Sequence, residues 1–183
     1  MSFRKSQKGQ TFDVFKLLIS AIIAGVLLSV LLGIIPGISL GQAPVEIVAS
    51  NLQNARESRG TIIQVDNVEF KHNNQLVPET LAEKAKQLTA DQVCVSLGDF
   101  KSGSSSSKFS YNETVGSITY TASGSLKVNV SVLCDQGTDI QATLTANETD
   151  NPGATNWADN CSQGWKDNCE GAGTCCIAAL RQT

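Results

Sequence analysis

One uninterrupted apolar segment, Leu17–Ile35, constrains what this chain can fold into more than any other feature. Its 19 residues are all apolar or small, and none is charged. A helix of about 17–25 apolar residues can cross the hydrocarbon core of a membrane. Basic residues precede the segment, and Pro36-Gly37 follows it. We therefore expect a hydrophobic transmembrane or assembly helix over residues 10–36, behind a basic leader at residues 1–9.

Charge differs sharply on the two sides of this segment. Four basic residues lie before it, and the first basic residue after it is Arg56. The positive-inside tendency therefore predicts a cytoplasmic N-terminus, with residues 37–183 outside the cell. That external part holds 10 of the 14 lysines and arginines and 16 of the 17 acidic residues, a formal charge of −6. Because such a region repels phosphate, we expect no direct nucleic-acid partner.

All six cysteines lie in the external part, and their even number favours disulfides in an oxidising compartment. We expect a bridge between Cys94 and Cys134, which lie in or beside predicted strands, with the rest pairing among themselves: Cys161, Cys169, Cys175 and Cys176. The adjacent Cys175 and Cys176 are not expected to bond each other, because neighbours rarely reach unstrained geometry. Six cysteines allow 15 connectivities, so other pairings stay open. A zinc site is the rival hypothesis, although spacings of 8, 6 and 1 match no zinc template.

Four Asn-x-Ser/Thr sequences in the same part predict N-glycosylation, where roughly two would arise by chance. They begin at Asn112, Asn129, Asn147 and Asn160. Asn129 and Asn147 fall on the predicted solvent faces of their strands, where a glycan has room.

The periodicity of the external part predicts an α+β fold. Residues 37–60 form a linker and an amphipathic helix that begins at Pro44 and stops near Gly60. Residues 61–183 form a β-rich, disulfide-bonded head domain with one short helix at residues 78–88. Strands are predicted over Thr61–Phe70, Gln92–Leu97, Ser117–Ala122, Leu126–Val132 and Ile140–Ala146, with Ile177–Leu180 as a last edge strand. The strands at residues 117–146 are expected to form an antiparallel meander with one buried face, and Trp157 and Trp165 are expected to pack under a disulfide-bonded loop.

Small residues recur every four positions within the apolar segment, at Ala21, Gly25, Ser29 and Gly33. Such a stripe lets helix backbones approach closely where van der Waals packing must drive association. The alternative is that small residues are simply common in membrane helices. A packing stripe would imply neighbouring helices, in a bundle or an oligomer.

Catalytic and metal-binding patterns are weak. The single histidine, His72, lies in a polar turn, and no second histidine is present to serve a Ser-His or Cys-His nucleophile. The pairs Asp135/Asp139 and Asp150/Asp159 lie in predicted turns, where aspartate usually bonds the backbone. They lack the spacing of an EF-hand calcium loop. We expect no enzyme, no cofactor and no metal.

Lys8-Gly9-Gln10, followed by a short mixed stretch and the apolar segment, resembles the class III signal peptides of archaeal type IV pilin-like proteins. In that family a prepilin peptidase cuts after the glycine, and the apolar helix stays on the mature subunit. The resemblance covers about residues 4–36 and implies cleavage between Gly9 and Gln10. It also implies a pilin-like fold, in which a long N-terminal helix carries the head domain.

The function that the resemblance implies is that of a structural subunit of a type IV pilus-like surface filament. Its partners would be other copies of itself, the prepilin peptidase and assembly machinery, and the membrane before assembly. The alternative is an uncleaved, single-pass membrane-anchored surface or binding protein with a disulfide-rich, glycosylated ectodomain. Many type IV pilins carry an acid at the fifth mature position, whereas here Asp13 is at the fourth position and Val14 at the fifth.

Overall fold

The computed structural model describes residues 16, 18–24, 43–101, 108–171 and 173–182. The chain divides into two compact units, Met1–Leu40 and Gly41–Thr183. In the first unit, residues 16 and 18–24 are helical, and four large apolar side chains are 41% to 57% exposed: Leu18, Ile19, Ile22 and Ile23. Among the residues that the structure describes, no helix is both long enough and apolar enough to span a membrane.

The predicted fold class requires correction. A pilin-like arrangement with a long N-terminal hydrophobic helix is not shown, because only residues 16 and 18–24 of the expected helix are described. The remainder of that helix and the basic leader lie outside the described residues. The second unit is an α+β fold built on a four-stranded sheet of mixed direction, and the prediction of an antiparallel head is therefore also wrong.

In chain order, the helices and strands of the second unit are α1 (Pro44–Glu57), β1 (Ile63–Lys71), β2 (Gln75–Leu76), α2 (Pro78–Ala85), β3 (Val93–Ser96), β4 (Phe109–Asn112), β5 (Ser117–Tyr120), β6 (Ser125–Gln136), α3 (Gly137–Ala146), α4 (Gln163–Asn168) and β7 (Thr174–Arg181). Short 3₁₀ turns lie at Ala90–Gln92, Gly98–Lys101 and Ala154–Asn160.

The main sheet has the strand order β1-β6-β7-β3, and β2, β5 and β4 form a smaller sheet. β6 pairs antiparallel with both β1 and β7, whereas β3 pairs parallel with β7. The predicted meander is wrong because β5 and β6 belong to different sheets and the third segment is a helix. The last strand, expected at an edge, lies between β6 and β3, and its six central residues are buried.

The helix α1 lies where the sequence predicts it and covers the first face of the main sheet. Pro44 occupies its first turn, and Val48, Leu52 and Ala55 are fully buried at helical spacing. These side chains join a core with the β6 residues Val128, Val130 and Val132, to which the smaller sheet adds Phe109, Ile118 and Tyr120. Apolar burial on this face stabilises the unit.

The second face of the main sheet is covered by α3, the turn at residues 154–160 and α4. The sequence predicts a strand over Ile140–Ala146, and the structure shows a helix instead. Ile140 and Leu144 are buried four residues apart, while Ala142 and Ala146 between and after them are exposed. Alternation with alanine misled the prediction, because alanine suits an exposed helical position as well as a buried strand position. Trp157 and Trp165 are buried in this second core together with cysteines, as expected.

Three disulfides hold the unit together: Cys94–Cys161, Cys134–Cys176 and Cys169–Cys175. The expected Cys94–Cys134 bridge is wrong, since β7 lies between their strands and the two side chains belong to cores on opposite faces. Cys175 and Cys176 do not bond each other, as predicted, because alternation along β7 sends them to opposite faces. The bridges that span 67 and 42 residues each stabilise the fold by about 4 kcal/mol on a chain-entropy basis.

Gly137, at the start of α3, offers a test of how closely this layer is packed. A Cβ there would lie 2.1 Å from the carbonyl oxygen of Cys169 and 2.7 Å from its carbonyl carbon. We expect Gly137→Ala to lower the free energy of unfolding by about 3 kcal/mol through overpacking, although helix propensity alone favours alanine. Urea denaturation of the full chain measures this. Gly171→Ala is the matched control, because nothing lies within 4 Å of its Cβ position. Equal stability of the two variants would contradict the predicted contact.

Candidate functional site

The second face of the main sheet changes from apolar to polar along its strands. Leu133 of β6 and Ile177 of β7 are register partners within the second core. Two residues away on the same face, Ser131 of β6 pairs with Ala179 of β7 and with Gln64 of β1. Beyond that row, Asn129 pairs with Arg181. The helical layer therefore covers an apolar floor at one end and leaves a polar floor at the other.

A cavity of about 270 Å³ lies over this polar floor. Its walls are all polar residues: Gln64, Asn129, Ser131, Asp150, Arg181 and Gln182. They come from three neighbouring strands, from the segment after α3 and from the chain just beyond β7. We refer to it as the polar cavity.

The buried residue Asn151 fixes two walls of the polar cavity. Its side chain is 4% exposed, and its Oδ1 atom accepts hydrogen bonds of 2.9 Å from Gln64 Nε2 and from Arg181 Nη1. Asn151 thereby ties β1 and β7 to the segment that crosses above them. A hydrogen bond from a charged group such as Arg181 stabilises by about 1.5–3 kcal/mol, more than a neutral one.

Two polar atoms in the cavity walls have no hydrogen-bond partner among the described residues. They are Ser131 Oγ, on a residue only 1% exposed, and Arg181 Nε. Arg181 Nε lies 3.7 Å from Asp99 Oδ2, within ion-pair distance and too far for a hydrogen bond. An unsatisfied buried polar atom costs about 1–3 kcal/mol. This cavity therefore concentrates unused hydrogen-bonding capacity.

The amide of Asn129 is held in place by an irregularity in β1. The pairing of β1 with β6 shifts register between Val65 and Val68, and Asn67 there adopts a left-handed backbone with φ of 57°. Its N–H donates a 3.0 Å hydrogen bond to Asn129 Oδ1. Asparagine tolerates this backbone conformation better than most residues. The bonded oxygen fixes the Asn129 amide beside Arg181.

Glu148 organises the segment that forms the upper wall. Its carboxylate accepts hydrogen bonds from the backbone N–H groups of Gly153, at 2.8 Å, and Thr155, at 2.9 Å. The backbone hydrogen bonds from Thr155 and then Gly153 hold the pKa of the Glu148 carboxyl below its ordinary value. Asp150 and Asn151 lie between the two ends of this clamp, so Glu148 positions both of them over the sheet.

A larger groove of about 670 Å³ lies beside the smaller sheet. Its lining includes the carboxylates of Glu79, Asp91 and Glu113, together with Val115, which is 53% exposed. Nearby, the Tyr111 hydroxyl donates to the Asn160 carbonyl, and burial, with Glu113 adding to it, raises the pKa of Tyr111. This groove contains no unpartnered buried atom among its described lining residues. The polar cavity is therefore the better candidate for a binding site.

The four predicted glycosylation sites differ in their surroundings. Asn112 lies exposed at the turn between β4 and β5, and its Oδ1 caps that turn by accepting from the Thr114 N–H at 3.0 Å. Asn147 Nδ2 donates to a backbone carbonyl of α3, and Asn160 Nδ2 donates to Ser96 Oγ. Asn129 is partly buried in the polar cavity. Glycosylation remains a prediction, and Asn112 is the most accessible acceptor.

The other predicted residues are distributed as follows. Gly9, Gln10, Gly25, Ser29 and Gly33 lie outside the described residues, and Ala21 is exposed on the described helical stretch. His72 is exposed in a turn, and Asp135 accepts a 2.6 Å hydrogen bond from Thr143 Oγ1. Within the described ranges, no three His, Cys, Asp or Glu residues gather in a way that could hold a metal ion.

Sequence reasoning missed the polar cavity. It placed Asn129 on a solvent face of its strand, whereas Ser131, which lies on that same face of β6, is almost fully buried. One usable signal was Arg181, which directly follows the uncharged run Cys175–Leu180. A charged residue at the end of such a strand needs a polar partner nearby.

Comparison with models of known protein families, with curated proteins and with solved structures finds no match for this chain.

The Glu148 clamp predicts a pH-dependent stability. A folded-state pKa below the ordinary 4.5 stabilises the fold above that pH, and the contribution is lost as pH falls through the lower pKa. We expect Glu148→Gln to lower the melting temperature at pH 7 by roughly 2–4 °C, with the gap to the parent protein closing below pH 4.5. Thermal melts between pH 3 and pH 7 measure both effects, with the exposed Glu170→Gln as control. A gap that does not change with pH would contradict the clamp.

Proposed function

We propose that this chain is the structural subunit of a type IV pilus-like surface filament. The observation that carries the proposal is the sequence Lys8-Gly9-Gln10, followed by a short mixed stretch and then an apolar segment that resembles those of type IV pilins. Cleavage between Gly9 and Gln10 removes the basic leader and leaves the apolar segment on the mature subunit. That segment first anchors the subunit in the membrane and, after assembly, packs against the same segment of neighbouring copies.

The proposed location of the unit Gly41–Thr183 is outside the cell. All three disulfides lie in this unit, and disulfides persist in oxidising compartments and are rare in the cytosol. The basic residues before the apolar segment favour a cytoplasmic N-terminus, which puts the disulfide-bonded unit on the opposite side of the membrane. Two independent features thus support the same topology.

The unit is suited to the exposed surface of a polymer. Two bridges link strands of the main sheet to each other or to the layer above it, since Cys134 bonds Cys176 and Cys94 bonds Cys161. Such cross-links limit local unfolding of a protein that works outside the reach of cellular chaperones. The small residues from Ala21 onward favour close packing between apolar segments of neighbouring subunits.

The second candidate is an uncleaved, membrane-anchored surface protein that binds a ligand. Asp13 favours it, because the acid lies one position away from where type IV pilins usually carry it. The polar cavity also favours it, since a filament subunit does not need a binding site. In this case the protein keeps Met1 and leaves the membrane only in detergent.

The test is the N-terminus of material sheared from cells, read by mass spectrometry, with the same material imaged for filaments. We expect filaments whose subunit begins at Gln10. Gly9→Val should abolish processing and filaments, because the peptidase requires the small residue at the cut. Ser6→Val changes the same leader away from the cut and should leave both intact. An intact Met1 on a purely membrane-bound monomer would overturn the proposal in favour of the anchored protein.

A further inference from the structure

We propose that the polar cavity is a binding site for one neutral sugar residue. The inference begins with its two unpartnered atoms, Ser131 Oγ and Arg181 Nε. Both belong to strands of the main sheet, so the sheet itself holds them in place. Neither atom has a hydrogen-bond partner among the described residues, and a molecule that enters the cavity is in a position to supply one. This inference does not depend on polymerisation of the chain.

The charges around the cavity favour a neutral ligand. Among its walls, the single cation Arg181 is balanced by the carboxylate of Asp150. Asp99 lies within ion-pair distance of the same guanidinium, at 3.7 Å. An anionic ligand would meet two carboxylates for one cation, and a cationic ligand would displace the existing ion pair. A neutral molecule avoids both costs.

The hydrogen-bonding groups of the walls match hydroxyl groups. Gln64 and Asn129 each carry an amide that donates and accepts, and Ser131 carries a hydroxyl that does both. Arg181 donates only, and Asp150 accepts only. A sugar ring presents several adjacent hydroxyls, each able to donate and accept, and so suits walls that offer both donors and acceptors.

The size of the cavity limits the ligand to a single ring. Its volume of about 270 Å³ is just below the range of about 300–1,000 Å³ that is typical of drug-sized ligands. A monosaccharide unit is of suitable size, whereas a longer oligosaccharide would extend into solvent. The site is therefore expected to hold one residue of a glycan or a free monosaccharide.

Two sources can supply this sugar. One is a glycan on Asn129, whose amide lines the cavity with its oxygen bonded to the Asn67 N–H. The other is a sugar from a different molecule. Peptide mass spectrometry of the native protein distinguishes them, because only the first source adds a sugar mass to the peptide that contains Asn129.

Binding is measured on the full-length chain with unmodified Asn129, kept in a detergent without a sugar headgroup. The probes are glucose, galactose, mannose and N-acetylglucosamine. Binding of each sugar is detected by saturation-transfer NMR. We expect at least one sugar to bind, and Arg181→Gln and Ser131→Ala each to weaken it at least fivefold. The matched controls Arg59→Gln and Ser123→Ala, both at exposed positions, should bind as the parent protein does.

Stability separates a binding role from a structural one. Ser131 Oγ bonds to nothing in the described structure, so Ser131→Ala removes an unsatisfied buried atom and should leave the melting temperature equal to or above that of the parent protein while affinity is lost. Should Arg181→Gln fail to fold, Ser131→Ala alone decides the outcome. If native Asn129 carries a sugar, Arg181→Gln should speed its enzymatic release at least fivefold compared with Arg59→Gln.

Three outcomes would overturn the proposal. The first is a cavity filled by water alone, with no binding of the four sugars and no sugar on native Asn129. The second is sugar binding that Ser131→Ala and Arg181→Gln leave unchanged. The third is a glycan on Asn129 that is released equally fast from the Arg181→Gln and Arg59→Gln proteins.

Discussion

The fold depends on β7, the strand that both cores share. Between its two ends, all six residues are buried, so neither side faces solvent. Odd-numbered residues such as Ile177 join the core under α3, and even-numbered ones such as Leu180 join the core under α1. Burial of a strand on both sides removes the polar alternation that usually marks one. It also explains why the adjacent cysteines, Cys175 and Cys176, bond different partners.

The polar cavity follows from how far the covering layer of the second face extends. The helix α3 and the two tryptophans cover the sheet over Leu133 and Ile177. Past this point, the Glu148 clamp turns the chain back toward the 3₁₀ turn at residues 154–160, and Asp150 and Asn151 lie over the remaining strands. The polar end of the sheet is therefore also the end over which the covering layer is thinnest, and a space remains that side chains do not fill.

How much of this the sequence could predict depends on the range of the interactions involved. α1 was predictable because proline at its start and a four-residue apolar spacing are local signals. The presence of disulfides was predictable from the number of cysteines and the expected compartment. Their pairing was not, since it depends on β7 lying between β3 and β6. The strand prediction for Ile140–Ala146 was wrong because alanine fits a strand and a helix alike. The polar cavity could not be predicted, because Gln64, Asn151 and Arg181 are brought together only by tertiary structure.

Stability alone does not explain the serine at position 131. Its neighbours Val130 and Val132 belong to the core on the opposite face, and a valine at position 131 would carry no unpartnered hydroxyl. Val and Ile are favoured in strands, and an unsatisfied buried polar atom is disfavoured. A sequence that is locally consistent elsewhere usually breaks such rules at functional sites. Ser131 breaks two of them in the same cavity as Arg181 Nε, which also lacks a hydrogen-bond partner, so its presence is better explained by a ligand than by the fold.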